Sequence, residues 1–210
     1  MNRKTAKAGF YLDLIRTVFQ AVAEQGKLRN RVVAFTSATP REGVSHIVNM
    51  LAEELAAQTQ NRVLRVDAVA LQNLAMVDPS KVARYCEETE IDNLLTLSLP
   101  QTAANVVAMG GSRKASDWES TPEFRVECLK ALRWNFDYVL IDCPSLAVSS
   151  DATTLAPLVD GVAIVVEAGR TRRDQIQRAQ TVIEQSGGDF LGFVLNQRRY
   201  PVPGWLYRRL

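Results

Sequence analysis

The segment TSATPREGVSHIVNMLA, residues 36–52, joins a short apolar strand pattern to a helical pattern. Gly43 and Ser45 stand where a phosphate-binding loop of the form G-x-x-x-x-G-K-S/T has its last glycine and its hydroxyl, but Ala38 and Val44 occupy the positions of the first glycine and the lysine. A helix N-terminus favours an anion even without that lysine. The segment therefore has the placement of a phosphate-binding loop and lacks its cation.

Strand and helix patterns alternate along the rest of the chain. The strands are short, rich in Val, Ile and Leu, and bounded by turn residues: Arg31–Thr36, Arg62–Asp67, Asp137–Asp142, Gly161–Glu167 and Phe190–Asn196. Helical spacing relates Ile47, Met50, Leu51 and Leu55, then Phe124, Cys128 and Leu132, then Ile176, Ala179 and Ile183. This alternation predicts an α/β fold, a doubly wound and mostly parallel sheet flanked by helices, as in P-loop NTPases.

Three stretches are less regular. Asn93–Pro100 is a candidate for a further strand, whereas Ala68–Glu90 and residues 109–120 are predicted to be rich in loops. Thr171 and Asp174 have the spacing of a capping box at the start of a helix.

Length and composition favour one domain over residues 1–210, with an N-terminal helical segment at 1–30 and a short tail at 197–210. The basic N-terminus lacks the apolar stretch of a secretory signal, which indicates the cytoplasm. The three cysteines form no C-x-x-C pair and are expected to be free buried thiols. A net charge of +2 gives no reason to expect a nucleic-acid partner.

Polar residues follow the predicted strands at the edge where doubly wound sheets bind ligands. They are Asp67, Asp142 and Asn196, and with Ser45 the two carboxylates are a candidate magnesium site. Each has a structural alternative: Ser45 as a helix cap, the aspartates as acceptors for loop amides, and Asn196 as a turn residue. His46 is the only histidine and has no partner residues for a metal.

The chain resembles the bacterial tyrosine kinases of capsule and exopolysaccharide biosynthesis, relatives of the MinD and ParA ATPases. Residues 36–52 are similar to the family's TSxxPGEGKSTxxxNLA, FDYVLIDCPS to YDYVIIDTPP, DATTLAPLVDGVAIVVEAGRTRRDQ to DARxLAxxADGVLLVVRAGxTRxxx, and GFVLNQ to GVVLNRV. The likeness runs from Val32 to about Asn196. It implies ATP and magnesium as cofactors and a nucleotide site made of Pro40, Arg41, Glu42, Gly43, Val44, Ser45, His46 and Asn196, with Asp67 and Asp142 on the magnesium side.

Several positions depart from the family pattern. Val44 replaces the phosphate-contacting lysine, Arg41 a loop glycine, His46 a threonine, and Val69 the second aspartate of DADLRRP. Losing the lysine contact alone costs roughly 1.5–3 kcal/mol of phosphate binding. A left-handed backbone at Arg41 would cost about 1–2 kcal/mol, so a different loop shape is expected. Arg41 as a substitute for the lysine is the less favoured alternative.

Two other family features are reduced. The tyrosine-rich tail is represented by Tyr200 and Tyr207, and an E-x-x-R-x-x-R pattern that packs kinase subunits into rings falls on Phe10, Asp13 and Arg16, of which only Arg16 fits.

These departures favour a degenerate, non-catalytic relative that regulates or scaffolds polysaccharide synthesis and export, with weak binding of ATP and magnesium at most. The expected partner is a membrane-embedded chain-length or export protein, or a kinase paralogue, which would recruit the chain to the inner face of the membrane; self-association is a further expectation. One alternative is an active tyrosine autokinase or ATPase with an unconventional loop, and a weaker one is a ParA-like partitioning ATPase.

The N-terminal segment has Leu12, Ile15, Phe19 and Val22 at helical spacing. It is expected to dock on the chain's own sheet, with a partner protein as the alternative.

Overall fold

The computed structural model describes residues 3–24, 30–73, 79–97 and 122–197. Its centre is a seven-stranded sheet in the order β3-β4-β2-β5-β1-β6-β7. The strands are β1 Arg31–Ser37, β2 Val63–Asp67, β3 Cys86–Glu88, β4 Leu94–Leu97, β5 Tyr138–Asp142, β6 Gly161–Glu167 and β7 Phe190–Asn196. All neighbours pair in parallel except β3 and β4, which pair antiparallel. The predicted doubly wound fold is confirmed.

Helices cover both faces of the sheet, which explains why most residues of the central strands are apolar and buried. The helices are α1 Arg3–Glu24, α2 Val44–Gln58, α3 Ala68–Asn73, α4 Pro122–Asn135, α5 Asp151–Leu155 and α6 Arg173–Gln185, with 3-10 turns at Pro79–Tyr85 and Ala156–Leu158. One apolar cluster joins the sheet to α1 and α2, and a second joins its other face to α4, α5 and α6.

The stretch 68–90 is more ordered than its sequence indicates. It contains α3, a 3-10 turn and the edge strand β3, so the prediction of a loop-rich segment is wrong. β3 has the sequence Cys-Glu-Glu, which has little intrinsic preference for a strand. It forms because β4 offers a free edge, with Cys86 opposite Leu97. Residues 109–120 lie outside the described part of the chain.

Helix α1 docks on its own domain, as expected, where it contacts α2 and β7. Its buried side chains are Tyr11, Val18 and Phe19, with Leu14 and Ile15 partly buried beside them. Of the predicted stripe, Phe19 and Ile15 lie in this cluster, Leu12 does not, and the side chain of Val22 lies outside the described part. The Phe19 ring meets the edge of Tyr138 at a centroid distance of 4.9 Å, which fixes the helix against β5.

The opposite face of α1 is open to solvent. Phe10, Asp13 and Arg16 all lie there, and Phe10 keeps 42% of its surface exposed. Within the described residues, no helix is both long and apolar enough to cross a membrane.

Candidate functional site: a phosphate-loop cavity at the carboxyl edge of the sheet

A cavity of about 390 Å³ opens at the carboxyl ends of β1, β2 and β5. The loop between β1 and α2 forms one wall, and the ends of β2 and β5 form the other. The lining residues are Ser37, Pro40, Arg41, Glu42, Gly43, Val44, Ser45, Asp67, Asp142, Cys143, Pro144, Ser145 and Val148. The fold therefore brings most of the predicted site residues together. His46 is exposed on α2 and is not among the lining residues.

The loop makes two left-handed turns. Gly43 has φ 89° and Arg41 has φ 70°. A Cβ atom at Gly43 would lie 2.3 Å from Nδ2 of Asn196, so only glycine fits there. Arg41 takes a conformation that costs a non-glycine residue about 1–2 kcal/mol. The expectation that Arg41 would give the loop a different shape is therefore wrong, because the loop keeps a glycine-type turn at an arginine.

Glu42 holds this strained loop in place. Its side chain is 1% exposed, and Oε2 accepts a hydrogen bond from the backbone N–H of Thr39 at 3.0 Å. Oε1 accepts a bond from the Thr171 hydroxyl. The Glu42 carbonyl accepts a bond from Nδ2 of Asn196 at 2.9 Å. The contacts with Thr171 and Asn196 join residues more than 100 positions apart in the chain, and together with the local bond from Thr39 they stabilise the loop against the cost of the turn at Arg41.

Thr171 is the site residue that sequence reasoning missed. The prediction that it caps α6 is wrong, because the helix begins after Arg172, whose N–H bonds to Oε1 of Gln175 at 3.1 Å. The Thr171 hydroxyl instead accepts a bond from the N–H of Glu167 at 3.0 Å and donates to Glu42. The signal was present in the similarity of AGRTRRD to the family's AGxTRxx, but local spacing favoured a cap.

Asn196 also holds the loop. Its amide nitrogen bonds to the Glu42 carbonyl, and its Oδ1 accepts a bond from the N–H of Gln197 at 2.8 Å. Both ends of the side chain are therefore engaged within the protein. The contact with an adenine base that the family resemblance implies stays a prediction. Tyr200 and Tyr207 lie outside the described residues.

The two predicted magnesium-side carboxylates are neighbours. Asp67 and Asp142 end the adjacent parallel strands β2 and β5 and are paired in register. Burial raises the pKa of Asp142, and the charge of Asp67 raises it further, while a hydrogen bond from the Ser45 hydroxyl opposes the shift. The cap residue of α2 is Gly43 and not Ser45. Asp67 accepts a bond from the N–H of Val69 at 2.7 Å, as its structural alternative predicted.

This donor set is suited to a hard cation. Carboxylate and hydroxyl oxygens are the ligands that magnesium prefers, and it completes its shell with water and phosphate oxygens. Two carboxylates and one hydroxyl converge here, and no group of three or more His, Cys, Asp or Glu side chains forms a metal cluster in the described part of the chain. Asp67, Asp142 and Ser45 therefore fit a magnesium ion that arrives with a phosphate, and not one held by protein alone.

Val44 lies between the cavity and the core. It lines the cavity but is only 8% exposed and joins the apolar cluster around α2. Val69 is 51% exposed beside Asp67 and brings no charge to the magnesium side. Of the described residues that line the cavity, Arg41 alone is cationic.

The cysteines are free thiols, as predicted, and Cys128 and Cys143 are buried while Cys86 is half-buried. Burial raises the pKa of Cys86 to about 11 and that of Cys128 to about 12, and it raises the pKa of the cavity-lining Cys143 as well. A protonated thiol is a poor nucleophile, so the raised pKa values disfavour reaction of these cysteines at neutral pH.

Two solved structures share this architecture. The kinase domain of VpsO matches with a TM-score of 0.67 and 22% identity over 94% of this chain and 97% of that one. The cell division ATPase MinD of Pyrococcus furiosus matches with a TM-score of 0.59 and 21% identity over 86% and 78%. The chain therefore shares its fold with the VpsO kinase domain and with MinD, a P-loop ATPase fold.

Sequence relatives narrow the class, although no family model matches the chain. The tyrosine-protein kinase CpsD of Streptococcus agalactiae is 28% identical over 93% of this chain and 86% of its own length. The succinoglycan biosynthesis transport protein ExoP of Rhizobium meliloti is 30% identical over 89% of this chain, which spans 26% of ExoP. The resemblance to the bacterial tyrosine-protein kinases is confirmed.

Proposed function

We propose that this protein is a non-catalytic relative of the bacterial tyrosine kinases that binds nucleotide weakly and regulates or scaffolds the synthesis and export of a polysaccharide. The observation that carries the proposal is Val44, which occupies the lysine position and packs into the apolar cluster around α2. The side chain of a valine offers the transferring phosphate neither charge nor a hydrogen bond. Phosphoryl transfer depends on positioning and on charge neutralisation, so this loss weighs more on turnover than on binding.

Weak binding is expected to survive because the loop keeps its shape. The turns at Arg41 and Gly43 are held by Glu42, and Asp142 with Ser45 still faces the phosphate region. Backbone N–H groups at the start of α2 supply part of the binding free energy whatever side chain stands at position 44.

The proposed partner is a membrane-embedded chain-length or export protein, or a catalytically active paralogue, at the inner face of the membrane. ExoP, named as a succinoglycan transport protein, supports the pathway, because a segment like this chain forms about a quarter of it. The exposed face of α1 with Phe10, Asp13 and Arg16 is the candidate surface for such a partner or for a second copy of the chain.

Reconstitution tests this proposal. The chain is mixed with Mg-ATP and with vesicles that contain a membrane-embedded polysaccharide chain-length or export protein. We expect the chain to sediment with the vesicles and to form no phosphotyrosine on itself or on the partner. Phosphotyrosine formed by the chain alone would contradict the proposal.

The alternative function is an active kinase or ATPase in which Arg41 replaces the lysine. One observation favours it: Arg41 lines the cavity and has no ion pair within the described residues, so its guanidinium is available to a phosphate. Loss of turnover in Arg41→Ala, from a wild-type protein with measurable turnover, is the result that this alternative requires.

A further inference from the structure

Ser145 has a hydroxyl without a partner. The residue is 6% exposed, and its Oγ is the one buried side-chain nitrogen or oxygen atom in the described residues that makes no hydrogen bond. Leaving a buried hydroxyl unsatisfied lowers the stability of the folded state, and such groups are rare in native proteins. The Ser145 hydroxyl is therefore a candidate contact for a ligand.

The main chain around Ser145 is fixed on both sides. The N–H groups of Cys143 and Leu146 donate to carbonyls of β1 at 2.9 Å each, and the Thr36 hydroxyl donates to the Pro144 carbonyl at 2.7 Å. The Ser145 carbonyl accepts bonds from the N–H groups of Val148 and Ser149 at 2.9 and 3.1 Å. The backbone cannot shift to satisfy the hydroxyl, which is left with rotation about χ1.

The cavity is where a partner can come from. Ser145 lines it together with the loop residues Arg41 and Val44 and with the carboxylate of Asp142, three residues earlier on the same segment. One side of the cavity has the Arg41 guanidinium and the start of α2, and the other has the carboxylates of Asp67 and Asp142, which suit magnesium. A phosphoryl group bound with magnesium matches both sides. In the family pattern DTPP, which resembles Asp142–Ser145 here, the fourth position is a proline and offers no hydroxyl.

We propose that Ser145 is a ligand-contacting residue of this cavity, whose hydroxyl donates a hydrogen bond to a phosphoryl oxygen of a magnesium-bound nucleotide. The proposal rests on the weak nucleotide binding proposed above, and not on the absence of turnover. The Ser145 hydroxyl supplies a hydrogen bond to the phosphate that the Val44 side chain cannot make. It brings no positive charge, and its backbone is fixed.

Calorimetric titration with Mg-ADP tests this role in wild type, Ser145→Ala and Ser149→Ala, with the melting temperature of each free protein measured alongside. A hydrogen bond to a charged group corresponds to roughly a tenfold to hundredfold change in Kd. Ser145→Ala should weaken binding by about that factor, while its melting temperature stays equal to or above that of wild type, because the substitution removes an unsatisfied group.

Ser149→Ala is the matched control, because Ser149 lies four residues away and its hydroxyl already accepts a bond from the N–H of Asp151 at 3.1 Å. It should lower the melting temperature and leave the Kd unchanged. The proposal is overturned if Ser145→Ala binds Mg-ADP as wild type does, or if wild type binds no Mg-ADP at millimolar concentrations. Turnover of ATP by wild type would contradict the proposed function and leave the role of Ser145 standing, so the two failures are distinguishable.

Discussion

Asp160 and Asp142 lie at opposite ends of the strands of the sheet, and they differ in how far the fold pairs their carboxylates. Asp160, just before β6, is 2% exposed and is fully paired: Arg133 contacts both of its oxygens at 2.6 and 2.8 Å, and the N–H of Val32 donates at 2.7 Å. Asp142, at the end of β5, is half-buried beside Asp67, and burial raises its pKa. At the amino ends of the strands, Arg133 neutralises the charge of Asp160. At the other edge, Asp142 makes no ion pair within the described residues, although the charge of Arg65 opposes the rise of its pKa.

In the function proposed above, the loop keeps its backbone shape but lacks two charged side chains. Its shape is held by hydrogen bonds that the half-buried Thr171 and Asn196 donate to the buried residue Glu42. Its chemistry would come from positions 44 and 69, which are valines. In the function proposed above, the site preserves the geometry of a phosphate loop and has lost charges that act on the phosphate.

The largest expected effect is the loss of stability when the ion pair between Asp160 and Arg133 is broken. Asp160→Ala leaves the Arg133 guanidinium without its partner in a mostly buried position, which should cost about 3–5 kcal/mol of the free energy of unfolding. Urea denaturation measures it. Glu127→Ala, which removes an exposed ion pair to Lys130 on the same helix, is the control and should change the stability by about 1 kcal/mol or less. Equal effects of the two substitutions would contradict the contrast between the edges.

The next effect concerns the support of the loop. Thr171→Val keeps the shape of the side chain but removes the donor to the buried Glu42 carboxylate, and should cost roughly 1.5–3 kcal/mol. Thr181→Val is a matched control, because the Thr181 hydroxyl bonds only to a helix carbonyl at an exposed position. If chemical denaturation shows the same small change for both, Thr171 does not hold the loop.

Val44→Lys tests the missing cation. The new ammonium should tighten binding of Mg-ADP by roughly 1.5–3 kcal/mol, since the loop already has the shape that presents it. His46→Lys adds the same charge two residues later on the same helix, outside the cavity lining, and should change the affinity much less. Calorimetry that gave equal gains for both would mean that only the net charge matters.

The smallest effect is a dependence on pH. Because its pKa is raised above the ordinary value of 3.8, Asp142 binds a proton more tightly in the folded than in the unfolded state. Wild-type stability should therefore fall as the pH rises from about 3.8 through the raised pKa, and Asp142→Asn should be free of that loss. Urea denaturation should therefore show the free energy of unfolding of Asp142→Asn rising relative to that of wild type across this pH range. A constant difference between the two proteins over the same range would count against the unneutralised carboxylate.

The sequence predicts β1, β2, β5, β6 and β7 to within about one residue because their apolar runs are long and clearly bounded. It does not predict β3, because Cys86–Glu88 becomes a strand only through the edge that β4 provides. Within the site, Asp67, Asp142 and the loop followed from their positions after strands. The hydrogen bond between Thr171 and Glu42 spans 129 positions, and the unpartnered hydroxyl of Ser145 depends on the packing of two strands, so neither is visible in local patterns.

Steady-state ATP hydrolysis with magnesium, compared between wild type and the triple variant Arg41→Gly, Val44→Lys, Val69→Asp, tests most directly whether the loop has kept its shape and lost its chemistry. We predict no hydrolysis above background for wild type and measurable hydrolysis for the triple variant, because the substitutions return the lysine, the second carboxylate and the unstrained turn together. The contradicting result is magnesium-dependent hydrolysis by wild type that is lost in Asp142→Asn. It would mean that another cation already serves the phosphate and that the protein is an enzyme.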